Sequence, residues 1–145
     1  MFHSKLVRLL AIATVAGSAS VATFAGSASA AVPSIKCASL TGNIATTVKL
    51  SKCKGNTGKA SQPIPATQLA TGGKITWVNG KTTTVTLSVK QQGTACAAGS
   101  TEYQATGKVT ADTTGSATVG GKVKALACVD AAGNVTLAPG TKASI

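Results

Sequence analysis

The chain is poor in acids, aromatics and histidine. Its 145 residues hold three Asp and Glu against fourteen Lys and Arg, one His, and 3% aromatics. No apolar run reaches the roughly 20 residues that a membrane-spanning helix needs. Neither a collagen repeat nor a heptad pattern is present. What remains is a basic chain, formally +11, with four cysteines and a length suited to one domain.

Residues 1–30 have the three parts of a secretory signal peptide. Lys5 and Arg8 make the positive start, Leu9 to Ala16 the apolar stretch, and Ala28-Ser29-Ala30 an A-x-A cleavage site. The first cysteine, Cys37, lies beyond that site, so lipoprotein processing is not expected. The expected product is residues 31–145, secreted and either extracellular or associated with the cell wall. It carries twelve Lys against Glu102, Asp112 and Asp130, a net +9, and no His, Arg, Phe or Met. Its only aromatics are Trp77 and Tyr103.

Those absences narrow the chemistry. Without His, Ser-His-Asp and Cys-His catalysis are unavailable, as is the commonest ligand for transition metals. Without Arg there are no bidentate base contacts, and two aromatics do not make a stacking platform. Nucleic acid is therefore not an expected partner. No metal or cofactor is expected.

Twenty-one Val, Ile and Leu make a thin core for the exported part. Export favours disulfides, and four cysteines allow three pairings. The sequential pairing, Cys37–Cys53 and Cys96–Cys128, is favoured because each pair brackets one hairpin-like unit. The spacings are too wide for a zinc site.

Period-two alternation dominates, as expected for half-buried strands. Ile35 to Leu40 reads as a strand and Thr41-Gly42-Asn43 as a turn. Ile44, Thr46, Val48 and Leu50 then share one face, with Ala45, Thr47 and Lys49 on the other. Cys53 to Ala70 reads as a long irregular loop, with Pro63 and Pro65 hard to place in a central strand. Asn79-Gly80, between Lys74–Val78 and Lys81–Lys90, reads as a two-residue hairpin turn with positive φ at both positions. Val85, Leu87 and Val89 form one face of the return strand. Gly93 to Ser100 is a loop, and Tyr103, Ala105, Gly107, Val109 and Ala111 line one face of the strand after it. Asp112 to Ser116 turns the chain, Ala117 to Val129 is extended with a bend at Gly120-Gly121, and Asp130 to Asn134 turns into Val135–Leu137. A turn and a short extended segment end the chain.

About seven strands with regular turns predict an all-β domain, an antiparallel β-sandwich or small barrel. Small residues at inward positions suggest closely packed sheets rather than a wide ligand cavity. Trp77 shares a face with Ile75 and reads as a core residue rather than a sugar-stacking one.

Two constellations are candidate sites. Lys49, Lys52, Lys54 and Lys59 form the densest cationic cluster and suit an anionic envelope polymer or lipid headgroups. Dispersed lysines that keep a thin-cored β protein soluble and block edge pairing are the simpler reading. Glu102 and Asp130 are the best-placed carboxylates for a hydrolase, which needs them about 5–5.5 Å or 6.5–9.5 Å apart. A surface partner for lysine and a turn residue are the simpler readings there.

Three stretches give the chain a recognisable character: Ala28-Ser29-Ala30, the Cys37–Cys53 segment around Thr41-Gly42, and the run Thr76-Trp77-Val78-Asn79-Gly80-Lys81-Thr82-Thr83-Thr84. In these it resembles the small secreted, Ala/Gly/Thr-rich all-β proteins of high-GC Gram-positive bacteria. The resemblance implies secretion and a β fold, and no activity or functional residue to carry over. The functional expectation is an exported, non-enzymatic β domain acting at or outside the cell envelope by surface binding or as a structural component. A cationic effector, an inhibitor or a membrane-active protein, is the alternative, and a hydrolase using Glu102 and Asp130 is the third reading.

Overall fold

The computed structural model describes residues 32–145. The expected signal peptide lies outside them. The described residues form an antiparallel β domain, a nearly closed, barrel-like sheet. Its elements are β1 (Lys36–Gly42), β2 (Thr47–Lys54), β3 (Ile64–Pro65), α1 (Gln68–Thr71), β4 (Gly72–Thr76), β5 (Thr82–Gln91), β6 (Thr101–Asp112), β7 (Lys122–Val129), β8 (Val135–Leu137) and β9 (Ala143–Ser144). The strand order is β3-β2-β1-β9-β7-β6-β5-β4, and β8 shares the edge of β7 with β9. Of the two architectures expected from the sequence, the barrel is the one formed.

The remaining seam lies between β2 and β4 and is closed differently along its length. Residues 59–62 act as an inserted strand. Cys53 N–H donates to Lys59 O (2.9 Å) and Ser61 N–H to Leu50 O (2.9 Å) on the β2 side. Gln62 N–H donates to Thr76 O (2.8 Å) and Val78 N–H to Ala60 O (3.0 Å) on the β4 side. Further along, β3 pairs with β2 alone, and α1 follows it into β4. Pro65 sits in β3, where its missing N–H costs no ladder bond on an edge. The stretch read as one irregular loop is thus the closing element of the barrel.

Period-two patterning delivers most of the interior. Val85 of β5, Val109 of β6 and Val123 of β7 are buried, while Lys90, Lys108, Lys122 and Lys124 are exposed. Long strands β5 and β6 pair over nine positions, with one register shift between Thr84 and Val85. Gly107 is required in that ladder because a Cβ there would collide with the Thr86 carbonyl.

Three expectations change. Ile44 is not in β2 but in the preceding turn, and it is 50% exposed. The turn folds back through Asn43, whose Oδ1 accepts from Ala45 N–H at 2.8 Å, and Ile44 N–H donates across to Gly133 O at 2.9 Å. Alternation in β2 also breaks at Lys52, which has φ 52°. That left-handed residue lets Leu50 and Cys53, three positions apart, both be buried, as Cys37 and Leu40 are on β1. Finally, Asn79-Gly80 is part of a three-residue loop. Gly80 N–H bonds back to Trp77 O (2.9 Å) and Trp77 N–H to Lys81 O (2.8 Å). Only Gly80 has positive φ there, the arrangement of a type I turn followed by a left-handed glycine.

Both disulfides join the cysteines in the sequential pairing, Cys37–Cys53 and Cys96–Cys128. The first links directly paired positions of β1 and β2 and belongs to the core. The second ties the loop before β6 to β7.

Candidate functional site

The two ends of the barrel are filled differently. At one end the interior is solid. Trp77, Ile35 and Thr57 are fully buried, with Val109 and Ala117 nearly so. Trp77 Nε1–H donates to the Thr83 hydroxyl oxygen (2.8 Å), and that hydroxyl donates to Asp112 (2.6 Å). Asp112 also accepts from the Thr114 hydroxyl (2.8 Å) and Gly115 N–H (2.8 Å). Among the described residues, no buried side-chain nitrogen or oxygen at this end is left without a partner, as burial demands.

The other end is hollow. A cavity of about 360 Å³ occupies it. Its walls draw on all nine strands and include Val48, Leu50, Leu87, Ala105, Ala125 and Ala127. The sequence suggested that small inward residues would draw the sheets together, and the structure overturns that. In a barrel the circumference is set by strand number and stagger. Shortening a side chain from Leu to Ala then leaves space instead of bringing the walls closer. Ile44 and Val89 both line the cavity and stay 50% and 38% exposed, which marks them as its rim. A volume of this size falls within the range of small-molecule sites. In bulk liquid it would correspond to about a dozen water molecules, but walls so largely apolar give water little reason to stay.

Helix α1 closes the hollow side of the seam and contributes Gln68, Leu69 and Ala70 to the lining. Gln68, like Tyr103 and Ser144, is a polar residue in a largely aliphatic lining. It packs against Gly73, where an added Cβ would come within 2.5 Å of Gln68 Oε1. That oxygen is buried and has no hydrogen-bond partner.

The lysine cluster lies on the outside. Lys49, Lys52, Lys54 and Lys59 are all exposed. Strand pairing adds a lysine that the linear cluster left out: Lys36 lies directly opposite Lys54. A second like-charged pair, Lys108 and Lys122, faces across β6 and β7. Like charges at such positions are mildly unfavourable.

The candidate hydrolase carboxylates are engaged in building loops. Glu102 is 6% exposed, and its carboxylate accepts Ala95 N–H at 2.6 Å. It anchors the Gly93–Ser100 loop on the outer face of β6, beside the Cys96–Cys128 bridge. Asp130 is exposed and organises its own turn, accepting Ala132 N–H (2.9 Å), Asn134 N–H (2.8 Å) and the Asn134 side-chain amide (2.9 Å). Those bonds, led by the Asn134 side chain, hold its carboxyl below the usual value. Neither carboxylate lines the cavity.

Among the described residues no group of three His, Cys, Asp or Glu could hold a metal ion, and no helix is long and apolar enough to cross a membrane. No known protein family, curated protein or solved structure matches the chain, so the chemistry of the cavity and of the lysine face is the ground on which function is argued.

Proposed function

We propose that this is an exported, non-enzymatic binding domain that holds one small apolar molecule inside its barrel. The observation that carries this reading is the 360 Å³ cavity with predominantly apolar walls and a partly exposed apolar rim. A domain with so few large side chains gains stability from every methylene it buries, about 0.8 kcal/mol each. Leaving its best interior space empty is costly unless something else fills it. Export is supported by the character of residues 1–30 and by two disulfides, which suit an oxidising setting. The test is titration with N-phenyl-1-naphthylamine, a neutral apolar fluorophore. Saturable 1:1 enhancement is expected, and it should disappear in the doubly filled variant Ala105→Leu/Ala127→Leu. Equal enhancement in the filled variant places the probe elsewhere and ends the proposal.

A second reading concerns the outer face. Lys36 opposite Lys54, with Lys49, Lys52 and Lys59 nearby, suits retention on an anionic envelope polymer. Such retention depends steeply on ionic strength. It should fall when Lys36, Lys52, Lys54 and Lys59 are neutralised to Gln, and unchanged binding to isolated cell envelopes would reject it.

A further inference from the structure

The lysine face carries local costs that the fold does not require. We infer that this face binds a linear polymer with closely spaced phosphodiesters, and that Lys52 and Lys59 are its central contacts; the inference deepens the envelope-polymer reading above and rests on it. Among the described residues, Lys52 (φ 52°) and Lys59 (φ 72°) are the two residues other than glycine with positive φ. The left-handed conformation at 52 lets both Leu50 and Cys53 be buried, but the fold has no use for a lysine there. Gly or Asn takes that conformation at lower cost. The two lysines are neighbours: the Ser51–Ala60 bridge and the bond from Cys53 N–H to Lys59 O bring Lys59 alongside Lys52. Lys54 is exposed beside them and lies directly opposite Lys36, a like-charged pairing that is itself unfavourable. The row continues through Ser144 of β9 to the exposed Lys124 of β7, an extent that suits a polymer better than a single anion. Carboxylates give no relief, since Glu102, Asp112 and Asp130 bond to a backbone N–H, a hydroxyl and an amide. Strained backbone and repulsion gathered in one patch mark a site kept for what it binds.

Spacing and side-chain chemistry give the class of polymer. Positions two apart along a strand are about 6.6 Å apart, and cross-strand neighbours about 5 Å. Ammonium groups on that grid suit a chain charged at every short repeat. Lysine meets phosphate as a point charge and lacks the planar fork with which Arg grips carboxylates.

The probe is a poly(glycerol phosphate), with polygalacturonate, which carries a carboxylate on every sugar, as the comparison. Binding of each is measured across a salt series for the wild type, Lys52→Asn/Lys59→Asn and Lys90→Gln/Lys108→Gln. The last two lysines are exposed on β5 and β6 without positive φ, and β9 and β7 separate them from β1. The wild type should bind poly(glycerol phosphate) more tightly than polygalacturonate. Lys52→Asn/Lys59→Asn should lower the slope of log affinity against log salt by about 1.4, the value for two contacts with a single-stranded polyphosphodiester. The same variant should melt a few degrees higher, because Asn tolerates the left-handed conformation. Lys90→Gln/Lys108→Gln should keep its affinity within about twofold, since charges far from the contact are screened. Equal weakening by both variants would make the attraction one of net charge without a site, and overturns the inference. So does tighter binding of polygalacturonate, or a Lys52→Asn/Lys59→Asn protein that melts no higher than the wild type. Retention on isolated cell envelopes without binding to poly(glycerol phosphate) rejects the polymer class and leaves the envelope reading standing. Failure to bind either ends both.

Discussion

The two ends of the barrel are built on the same strands and differ in what fills them. At the solid end, Trp77, Ile35 and Val109 occupy the space between the walls, and the disulfide Cys37–Cys53 lies among them. At the hollow end, alanines take the corresponding inward positions on β6 and β7, and the disulfide Cys96–Cys128 braces the barrel by its outer loop. Polar groups follow the same division. Thr83 and Asp112 complete a closed network under Trp77. The Gln68 amide oxygen, buried against Gly73, has no partner among the described residues. One half is packed solid, and the other keeps a space whose walls do not collapse because closure of the sheet fixes their separation.

The sharpest way to break this comparison is to exchange the volumes. Trp77→Ala removes the largest buried side chain and leaves the Thr83 hydroxyl oxygen without its donor. It should cost about 3–5 kcal/mol, enough to unfold much of a marginally stable domain. Ala127→Leu at the hollow end adds volume where there is room and should change stability by less than about 1.5 kcal/mol. Denaturant unfolding of the two variants checks both. Comparable losses would mean that the hollow end is as tightly packed as the other.

The disulfides come next. By loop entropy alone the Cys96–Cys128 bridge, closing 32 positions, should be worth slightly more than Cys37–Cys53, closing 16. Burial reverses the order. Replacing Cys37 and Cys53 by Ala also leaves a void in the packed end and should cost about 5 kcal/mol, against about 3 kcal/mol for Cys96 and Cys128. Midpoints of urea unfolding decide, and an inverted order would show that loop closure outweighs packing.

Acid gives the smallest contrast. Burial tends to raise the pKa of Asp112, but hydrogen bonds from the Thr83 and Thr114 hydroxyls and from Ala117 and Gly115 N–H outweigh it and hold the carboxyl below its ordinary value. A group whose folded pKa is depressed contributes stability that is complete above its unfolded value, about 3.9. That contribution is lost as pH falls through the lower folded value. Stability should therefore decline below about pH 4, and Asp112→Asn should flatten that decline while lowering stability at neutral pH by about 1–2 kcal/mol. Asp130→Asn should alter the acid limb less, because its carboxylate serves an exposed turn. Melting temperatures between pH 2 and 7 test both, and equal slopes for the two variants would erase the distinction between the ends.

Much of the barrel wall was legible in the residues. Val85, Leu87 and Val89 on one strand and Tyr103, Ala105, Gly107 and Val109 on the next were readable as inward faces, since a pleated strand alternates with period two, but Ala111, read onto the same face, is exposed because the register shifts between Thr84 and Val85. The cysteine pairing was readable because each pair brackets a local unit. The left-handed Lys52 was not, since nothing in Ser51-Lys52-Cys53 signals a break in alternation. The Asn79-Gly80 loop took its form from outside itself, through Val78 N–H bonding to Ala60 O. Lys36 joined the basic face only through its pairing with Lys54.

By itself the sequence determined an antiparallel β domain with two local staples, a lysine exterior and no histidine with which to catalyse. These follow from properties of single residues and near neighbours, namely alternation, charge and side-chain chemistry. Only the tertiary structure decided that the sheet closes, that residues 59–62 seal one half of the seam while α1 covers the other, and that small inward residues therefore enclose a space. Closure is a condition on the whole sheet: it fixes the distance between walls before any side chain fills it, and no local pattern along the chain carries that distance.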